Sequence, residues 1–578
     1  MAYSFDSFKV EIIDRPFIRS DGFSTKQTAK LELFNGKGGL ITTLNLGVPD
    51  LSEVYESIGQ MKPVNLDFCY IFGFSTLACK RYLQIDKSQP IPIAGFSAKN
   101  SFFHSSISVD FSFAHFSGDF IIDESYIVAE LLDFHLSSYG TQFRLTNSYI
   151  KASKANVTQV RFEGERASFK NSTFDEGFKD FQDSFFGANE VIFTNVEFSS
   201  GDVSFINTEF NSQDVDFRVS RFGVGKVDFH YARFGNSGVS FERVDFGSGR
   251  VDFRAVEFGA GRTSFNRSTF IDGEINFEGA EVQKGKLSLK RVDFGNSYLI
   301  FDLYQGFGTE VLFERSTFNN SVSFSEAKIG KLLFRECQFN ASVNLHVQKC
   351  DEISLAGCTI RDIFEFYTHG KPPEIKSLNL AGVRLLGQLY IDWNANQVSN
   401  LIYSQADTSI VEKAEQFRIL KENFNALGRY DEEDKAYVEF KRCELRSSRS
   451  KASGNLLKRI TNTTYYFLKM LLFDYMGLYA TSPKRVLISI FFIYLFYSFL
   501  YILIMVSGVG HVVASSSAVE SLGLVPRAFY FSVVTFFTIG YGDFSPDGFA
   551  RIVAGSEGFM GVFLMAYFTV AFVRKILR

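Results

Sequence analysis

Six consecutive residues, Thr538-Ile539-Gly540-Tyr541-Gly542-Asp543, have the most distinctive types and spacing in the chain. Two glycines alternate with larger residues and a carboxylate follows. Glycine opens backbone conformations that a Cβ opposes, so this segment is read as main chain that must turn where other residues cannot. Its setting sharpens the reading. Val486 to Val506 is a run of 21 residues without a charge, long enough to span a bilayer. Ile552 to Val573 is a second run, 22 residues with Glu557 as its one charge. Between them the apolar stretch 526–537 is too short to cross. It reads as a re-entrant helix, because irregular backbone at membrane depth is tolerated only where protein buries it or water fills a cavity. Glu557 is costly in lipid and is expected to face protein. Bracing the re-entrant helix and lying shallow enough to meet water both remain open for it.

In this setting the motif resembles the potassium-channel selectivity filter. Residues 483–578 resemble the two-transmembrane, pore-loop subunit of bacterial-type potassium channels. The resemblance implies a homotetramer around one pore and K⁺ as the permeant ion. It implies that the Thr538 hydroxyl and the carbonyls of Thr538, Ile539, Gly540 and Tyr541 replace the ion's hydration shell. Thr538 is then the innermost ligand, Gly542 relieves the backbone, and Asp543 stands at the outer mouth. Two positions depart from the pattern. Phe537 precedes Thr538 where Thr is common. Val534 stands where some bacterial channels place a Glu behind the filter, which removes one hydrogen-bonding partner for Asp543. Gly561, eighteen residues past Asp543, lies close to the hinge glycine of the family's inner helix, with Val570 and Val573 expected at the cytoplasmic mouth. Gly555 and Gly558 fit close helix packing as well as they fit bending.

The elements that position this segment come before it. Lys484 and Arg485 precede the first run, and Arg574, Lys575 and Arg578 follow the second. Cytoplasmic Lys and Arg set orientation, so both termini are expected inside a cell (inner) membrane, with 507–551 as an external loop. Val411, Ala414, Phe417, Leu420, Phe424 and Leu427 fall at helical spacing, and Gly428 can end that helix. Asp431 to Arg446 is a second helical stretch with Tyr437 and Phe440 on one face. A helical connector is expected over 405–450. Across 454–482, Leu456, Ile460, Phe467, Leu468, Leu471 and Leu472 form an apolar face near Lys458, Arg459 and Lys469. That reads as an interfacial helix, with an ordinary packed helix as the alternative.

Most of the chain keeps a different rhythm. Of its 68 phenylalanines, one series recurs every twelve residues from Phe169 to Phe277; Leu289 interrupts it before Phe301 and Phe313. A second series runs five residues on, from Phe174 to Phe270, then Phe294 and Phe318. Within each unit Val-Asp-Phe alternates with the strand period of two, and glycines at unit ends suit tight corners. Stacked units would align identical Phe side chains, which describes a β-solenoid. The spacing of five resembles the pentapeptide-repeat family, a four-sided right-handed β-helix, which implies inward Phe and inward small residues such as Ser220 and Ala232. Two twelves per coil, 24 residues, leaves room for the rings; one thin coil per twelve is the alternative. The solenoid is expected over 100–400, strict over about 169–318, with residues 1–99 as a cap. The Phe ladders read as core rather than as a ligand groove.

Composition narrows the classes. The net charge of −4 gives no global reason to bind nucleic acid. Six scattered Cys do not make a disulfide scaffold. The N-terminus lacks an apolar h-region, so no signal peptide is expected. No nucleotide-binding fingerprint, Arg-striped voltage sensor, metal constellation or catalytic triad spacing is apparent, and neither an enzyme nor a cofactor is expected. The expected function is a potassium channel gated or scaffolded by a cytoplasmic solenoid whose ligand or protein partner is unknown. The alternatives are a poorly selective cation channel, or a membrane-tethered scaffold with a vestigial pore.

Overall fold

Strand register answers the coil question. Val191 lies beside Val215, Val215 beside Val239 and Val239 beside Thr263. Val203, Val227, Val251 and Ile275 form a second column. Residues that meet across coils, such as Val196 and Ser220, are 24 apart. One coil therefore holds two of the twelve-residue units. The computed structural model describes residues 2–86, 88–366, 372–450, 456–515 and 522–577, with backbone alone for 449, 450 and 456–462. The side chains of Leu456, Lys458, Arg459 and Ile460, and Arg578, lie outside the described residues. The chain divides into two units, Met1–Gln405 and Ala406–Arg578.

In the first unit, the reason for 24 is ring geometry. Phe169, Phe193, Phe217, Phe241 and Phe265 stack at 4.7, 4.7, 5.0 and 4.8 Å. Phe181, Phe205, Phe229, Phe253 and Phe277 stack at 4.7, 4.8, 5.1 and 4.8 Å. Parallel rings thus repeat at the spacing of neighbouring strands, about 4.7–4.9 Å. Phe169 and Phe181 share one coil and meet edge to face at 5.7 Å. Further columns run through Phe174, Phe198 and Phe222, and through Phe162, Phe186 and Phe210. All these rings are buried, so the ladders are the core. Each such pair adds about 0.5–1.5 kcal/mol beyond area burial.

Corners complete each coil. Asn171, Asp183, Asn195 and Asn207 have φ of 57°, 55°, 56° and 52°. Each follows a central Phe by two positions, and Ser172 N–H donates to the Phe169 carbonyl at 3.2 Å to close the turn. Asn and Asp tolerate this left-handed position. Another corner needs glycine, since a Cβ on Gly201 would stand 2.2 Å from the Gly177 carbonyl oxygen. Ser220 and Ala232 are buried. The Ser220 hydroxyl donates to the Phe193 carbonyl and accepts from Val196 N–H. Opposite charges meet across coils at several outward positions, as in Glu209–Arg233–Glu257 at 3.3 Å per pair and Lys331–Glu352 at 2.9 Å.

The solenoid makes about twelve turns over residues 91–390. Parallel pairing starts earlier, with Val64–Asn65 beside Phe96–Ser97 and Tyr70–Phe72 beside Phe102–His104, inside the stretch read from sequence as cap. The reason is visible in the helices α1 (Leu51–Gly59) and α2 (Thr76–Tyr82). α2 lengthens that coil and hides its period. An antiparallel sheet of Ser7–Ile13, Gln27–Phe34 and Leu40–Val48 buries Leu31, Leu33 and Leu46 with Tyr70, Phe102 and Tyr126. The short helix α3 (Val398–Tyr403) follows the last coil.

The second unit is helical. Ser409 caps α4 (Ile410–Ala426) and forms a capping box with Glu412. Gly428, at φ 69°, turns the chain into α5 (Tyr430–Ser450). Phe417, Leu420, Phe424 and Cys443 are buried, while Val411 is 50% exposed and stands outside that core. α6 (Leu456–Lys469) runs into a π-helical turn, Met470–Tyr475. Tyr465, Phe467, Leu468 and Leu471 are exposed there. α7 (Pro483–Ser507), α8 (Leu524–Phe536) and α9 (Ala550–Ile576) follow. α7 and α9 have 25 and 27 residues and contain 18-residue stretches with mean hydropathies of 2.4 and 1.6, enough to cross a membrane by length and composition.

Because each coil touches only its neighbours, damage should stay local. Phe217→Ala is expected to cost about 3–5 kcal/mol. Hydrogen exchange should show protection lost in the coils around 193–241 and kept around 96–145. Uniform loss through the solenoid would contradict the ladder account.

Candidate functional site

The segment 538–543 is held between α8 and a small hairpin. Gly510–Ala514 pairs antiparallel with Phe544–Gly548, and Ser515 N–H donates to the Asp543 carbonyl at 2.8 Å. At the other end, Ile539 N–H donates to the Val534 carbonyl at 2.9 Å as the chain leaves α8. Thr538, Gly540 and Gly542 then have φ of 51°, 66° and 76°. Residues of alternating hand turn successive peptide N–H groups to one side of a strand, and the carbonyls therefore to the other. Glycine supplies two of the three left-handed positions, and Thr538 carries the third with its hydroxyl donating to the Phe537 carbonyl at 2.7 Å. A Cβ at Gly540 or Gly542 would meet nothing within 4 Å. Their requirement for glycine is therefore conformational. Tyr541 is 70% exposed, and Phe537 and Ile539 also face outward.

Asp543 has a partner that sequence reasoning missed. Tyr530 O–H donates to Asp543 Oδ2 at 2.7 Å. Tyr530 precedes Val534 by four residues, one helical turn, so it shares that face of α8. It supplies the bond whose loss Val534 implied, and the spacing of four was the available signal. Val534 itself is buried.

Glu557 is fully buried and meets protein rather than water. Its Oε1 accepts from Ser532 Oγ at 2.5 Å and its Oε2 from Tyr501 O–H at 2.7 Å. One carboxylate thus joins α7, α8 and α9. The two donors were not singled out from sequence; a buried carboxylate demands them, but nothing in the spacing says which hydroxyls arrive.

Among the glycines of α9 the close approach falls at Gly561. A Cβ on Gly561 would stand 2.0 Å from the Phe536 carbonyl oxygen, whereas Cβ atoms on Gly555 or Gly558 meet nothing within 4 Å in the chain. Gly561 is the packing glycine, needed so that α9 can touch the end of α8. α9 continues unbroken through it. Val570 and Val573 are exposed, on a face away from the buried Leu564, Tyr567 and Ala571.

The last turn of α9 meets the helical connector. Arg574 pairs with Asp434 at 2.9 Å and lies 4.5 Å over the Tyr437 ring. Lys575 pairs with Asp431 at 2.8 Å and Asp434 at 3.1 Å. The bond from Lys575 holds the Asp431 carboxyl below its usual range. On the same α5, Arg442 pairs with Asp474 at 2.9 Å. Between Asp474 and α7, Leu478, Tyr479 and Ala480 have φ of 49°, 54° and 61°. Successive left-handed non-glycine residues cost about 1–2 kcal/mol each. Tyr567 of α9 holds this elbow, accepting from Ala480 N–H at 2.9 Å and donating to the Phe473 carbonyl at 3.0 Å.

Residues 487–578 match the model of a family described as ion channel. The chain therefore carries an ion-channel domain at its C-terminal end, and its two long apolar helices belong to a membrane. No curated protein and no solved structure matches the chain.

Three substitutions test the site. Tyr530→Phe removes a bond to a charged group, worth about 1.5–3 kcal/mol, and should shorten conducting episodes about tenfold or more in single-channel recordings. Gly561→Ala should weaken the α8–α9 contact and lower the melting temperature, whereas Gly558→Ala should do neither to the isolated chain. Equal tolerance at both glycines would contradict the packing role.

Proposed function

With an ion-channel domain as the premise, we propose that this chain is a potassium-selective channel of four identical subunits in a cell (inner) membrane. Both termini are cytoplasmic, and the β-solenoid gates the pore. The observation that carries the reading is the backbone of Thr538 to Gly542, left-handed at alternate residues and open on its outer side. A row of carbonyls is an ion site only when other rows face it. One chain supplies one row, so the site is complete only in a ring of copies. Thr538, Ile539, Gly540 and Tyr541 supply the ligands, with Gly542 and Asp543 as support.

Gating runs through the connector. Arg574 and Lys575 tie the end of α9 to α5, and Arg442 ties α5 to the turn before α7. A displacement of the hairpin is thus delivered to both long helices. A ligand of the solenoid shifts the pore only by its differential affinity for the two arrangements.

Purified protein in liposomes should pass K⁺ far better than Na⁺ and migrate as a tetramer. Gly540→Ala or Gly542→Ala should abolish the preference, because Ala resists the left-handed position. Equal K⁺ and Na⁺ flux in the unmutated protein would replace this reading by a poorly selective channel, and no flux by a scaffold. For gating, Asp434→Asn should shift the open–closed balance about tenfold, ~1.4 kcal/mol, and leave K⁺ over Na⁺ selectivity intact. Deleting residues 1–400 should also change open probability alone. A truncated channel that opens like the full chain would make the solenoid an anchor.

A further inference from the structure

One outward column of the solenoid carries four arginines in succession. The corner position two residues after the central Phe carries Asn147, Asn171 and Asn195, then Val219, then Arg243, Arg267, Arg291 and Arg315 in successive coils, all with φ between 52° and 65°. The asparagines suit that backbone. They also bond along the column, Asn195 Nδ2 donating to Asn171 Oδ1 at 3.1 Å and Asn171 Nδ2 to Asn147 Oδ1 at 3.0 Å. The fold therefore does not ask for arginine here, yet four follow one another. Arg315 is matched by Glu336 at 2.7 Å. Among the described residues, no carboxylate stands within ion-pair distance of Arg243, Arg267 or Arg291.

These three line a surface groove of about 810 Å³. The other charges there are already answered. Arg218 pairs with Asp216 at 2.7 Å and Lys290 with Glu314 at 3.1 Å. Glu242 faces Arg262 at 3.8 Å and accepts from Ser264 Oγ at 2.6 Å and Asn266 Nδ2 at 3.2 Å. The backbone positions of these three arginines follow one another at the coil spacing, about 4.8 Å apart and about 10 Å from end to end. That length is about one Debye length at 0.1 M salt, so they act on a ligand as one field.

Guanidinium forks offer paired N–H donors to phosphate or carboxylate oxygens. A straight row selects a linear anion with several charges inside its span. An extended acidic peptide presents a same-face carboxylate only every ~6.7 Å, out of step with the row, whereas a phosphoryl chain places several charges within it. No aromatic residue lines the groove, so the anionic chain carries the recognition and a nucleoside adds only contacts outside the arginine row. We propose that Arg243, Arg267 and Arg291 form a binding site for a linear oligophosphate, either free or as the triphosphate of a nucleotide.

The test is calorimetric titration of the full chain in detergent with tripolyphosphate and, separately, with ATP, at constant ionic strength. Saturable binding is expected. Arg267→Asn should weaken it at least tenfold, and the triple Arg→Asn variant at 243, 267 and 291 should lose it. Asparagine is the residue that earlier coils carry at this corner, so the variants should keep the fold, checked by their melting curves. Arg233→Asn, in an alternating column, should leave affinity unchanged. Equal affinity for the two probes identifies the phosphoryl chain alone as the ligand; tenfold tighter ATP identifies a nucleotide. Absence of saturable binding, unchanged affinity in the folded triple variant, equal displacement by sulfate, or tighter binding of a poly-glutamate peptide would overturn the proposal.

Discussion

The carboxylate of Glu557 sits where three apolar helices meet, and burial of such a group is tolerable only if donors reach both oxygens. Tyr501 and Ser532 reach them. Those two bonds set how far α8 stands from both long helices. The position of α8 then decides where its last carbonyls lie. Gly561 admits the Phe536 carbonyl, and the Val534 carbonyl takes the N–H of Ile539. The left-handed turns at Thr538, Gly540 and Gly542 start from that point. At their far end Asp543 is held by Tyr530 from the same helix. A strand with no packing of its own is thus suspended from one short helix, which is suspended from one buried carboxylate.

The solenoid answers the same problem of backbone satisfaction by repetition. Each strand bonds to the coil before and the coil after. Phe ladders work because ring stacking and strand pairing have the same repeat. Hydroxyls such as that of Ser220 reach carbonyls at the corners, where the ladder of strand bonds is interrupted. Such a core transmits little along its length except through neighbours, so its outward columns are free to vary in charge without disturbing the stack. The change from asparagine to arginine along one corner column is an example of that freedom.

Between these regimes the α4–α5 hairpin is held to the long helices by charge rather than by a large apolar core. Arg574, Lys575 and Arg442 each meet carboxylates in partly buried settings. Breaking one partner of such a pair costs more than the pair itself gains. The elbow at Leu478–Ala480 adds backbone strain beside these contacts, held by the hydroxyl of Tyr567. Strain persists only where surrounding structure over-determines it, which makes the elbow sensitive to how α9 lies.

Periodic features were legible in the residues alone. Twelve-residue spacing of Phe named the solenoid because identical residues in a stack must recur at the coil period or a simple fraction of it, and charge-free length named the two membrane helices because a bilayer sets that length. Ring size already favoured 24 residues per coil, and register decided it. The first coil escaped detection since α2 interrupts its period. The glycine pattern of 538–543 announced unusual backbone, as local conformation depends on local residue type. What needed tertiary structure were contacts between segments far apart in sequence. Tyr501 with Glu557, Arg574 with Asp434 and the close approach of Gly561 to Phe536 depend on how helices cross, and helix crossing leaves no local trace. Tyr530 with Asp543 lies between these cases: the helical period put Tyr530 on the face of Val534, but only the folded loop brought Asp543 back to it.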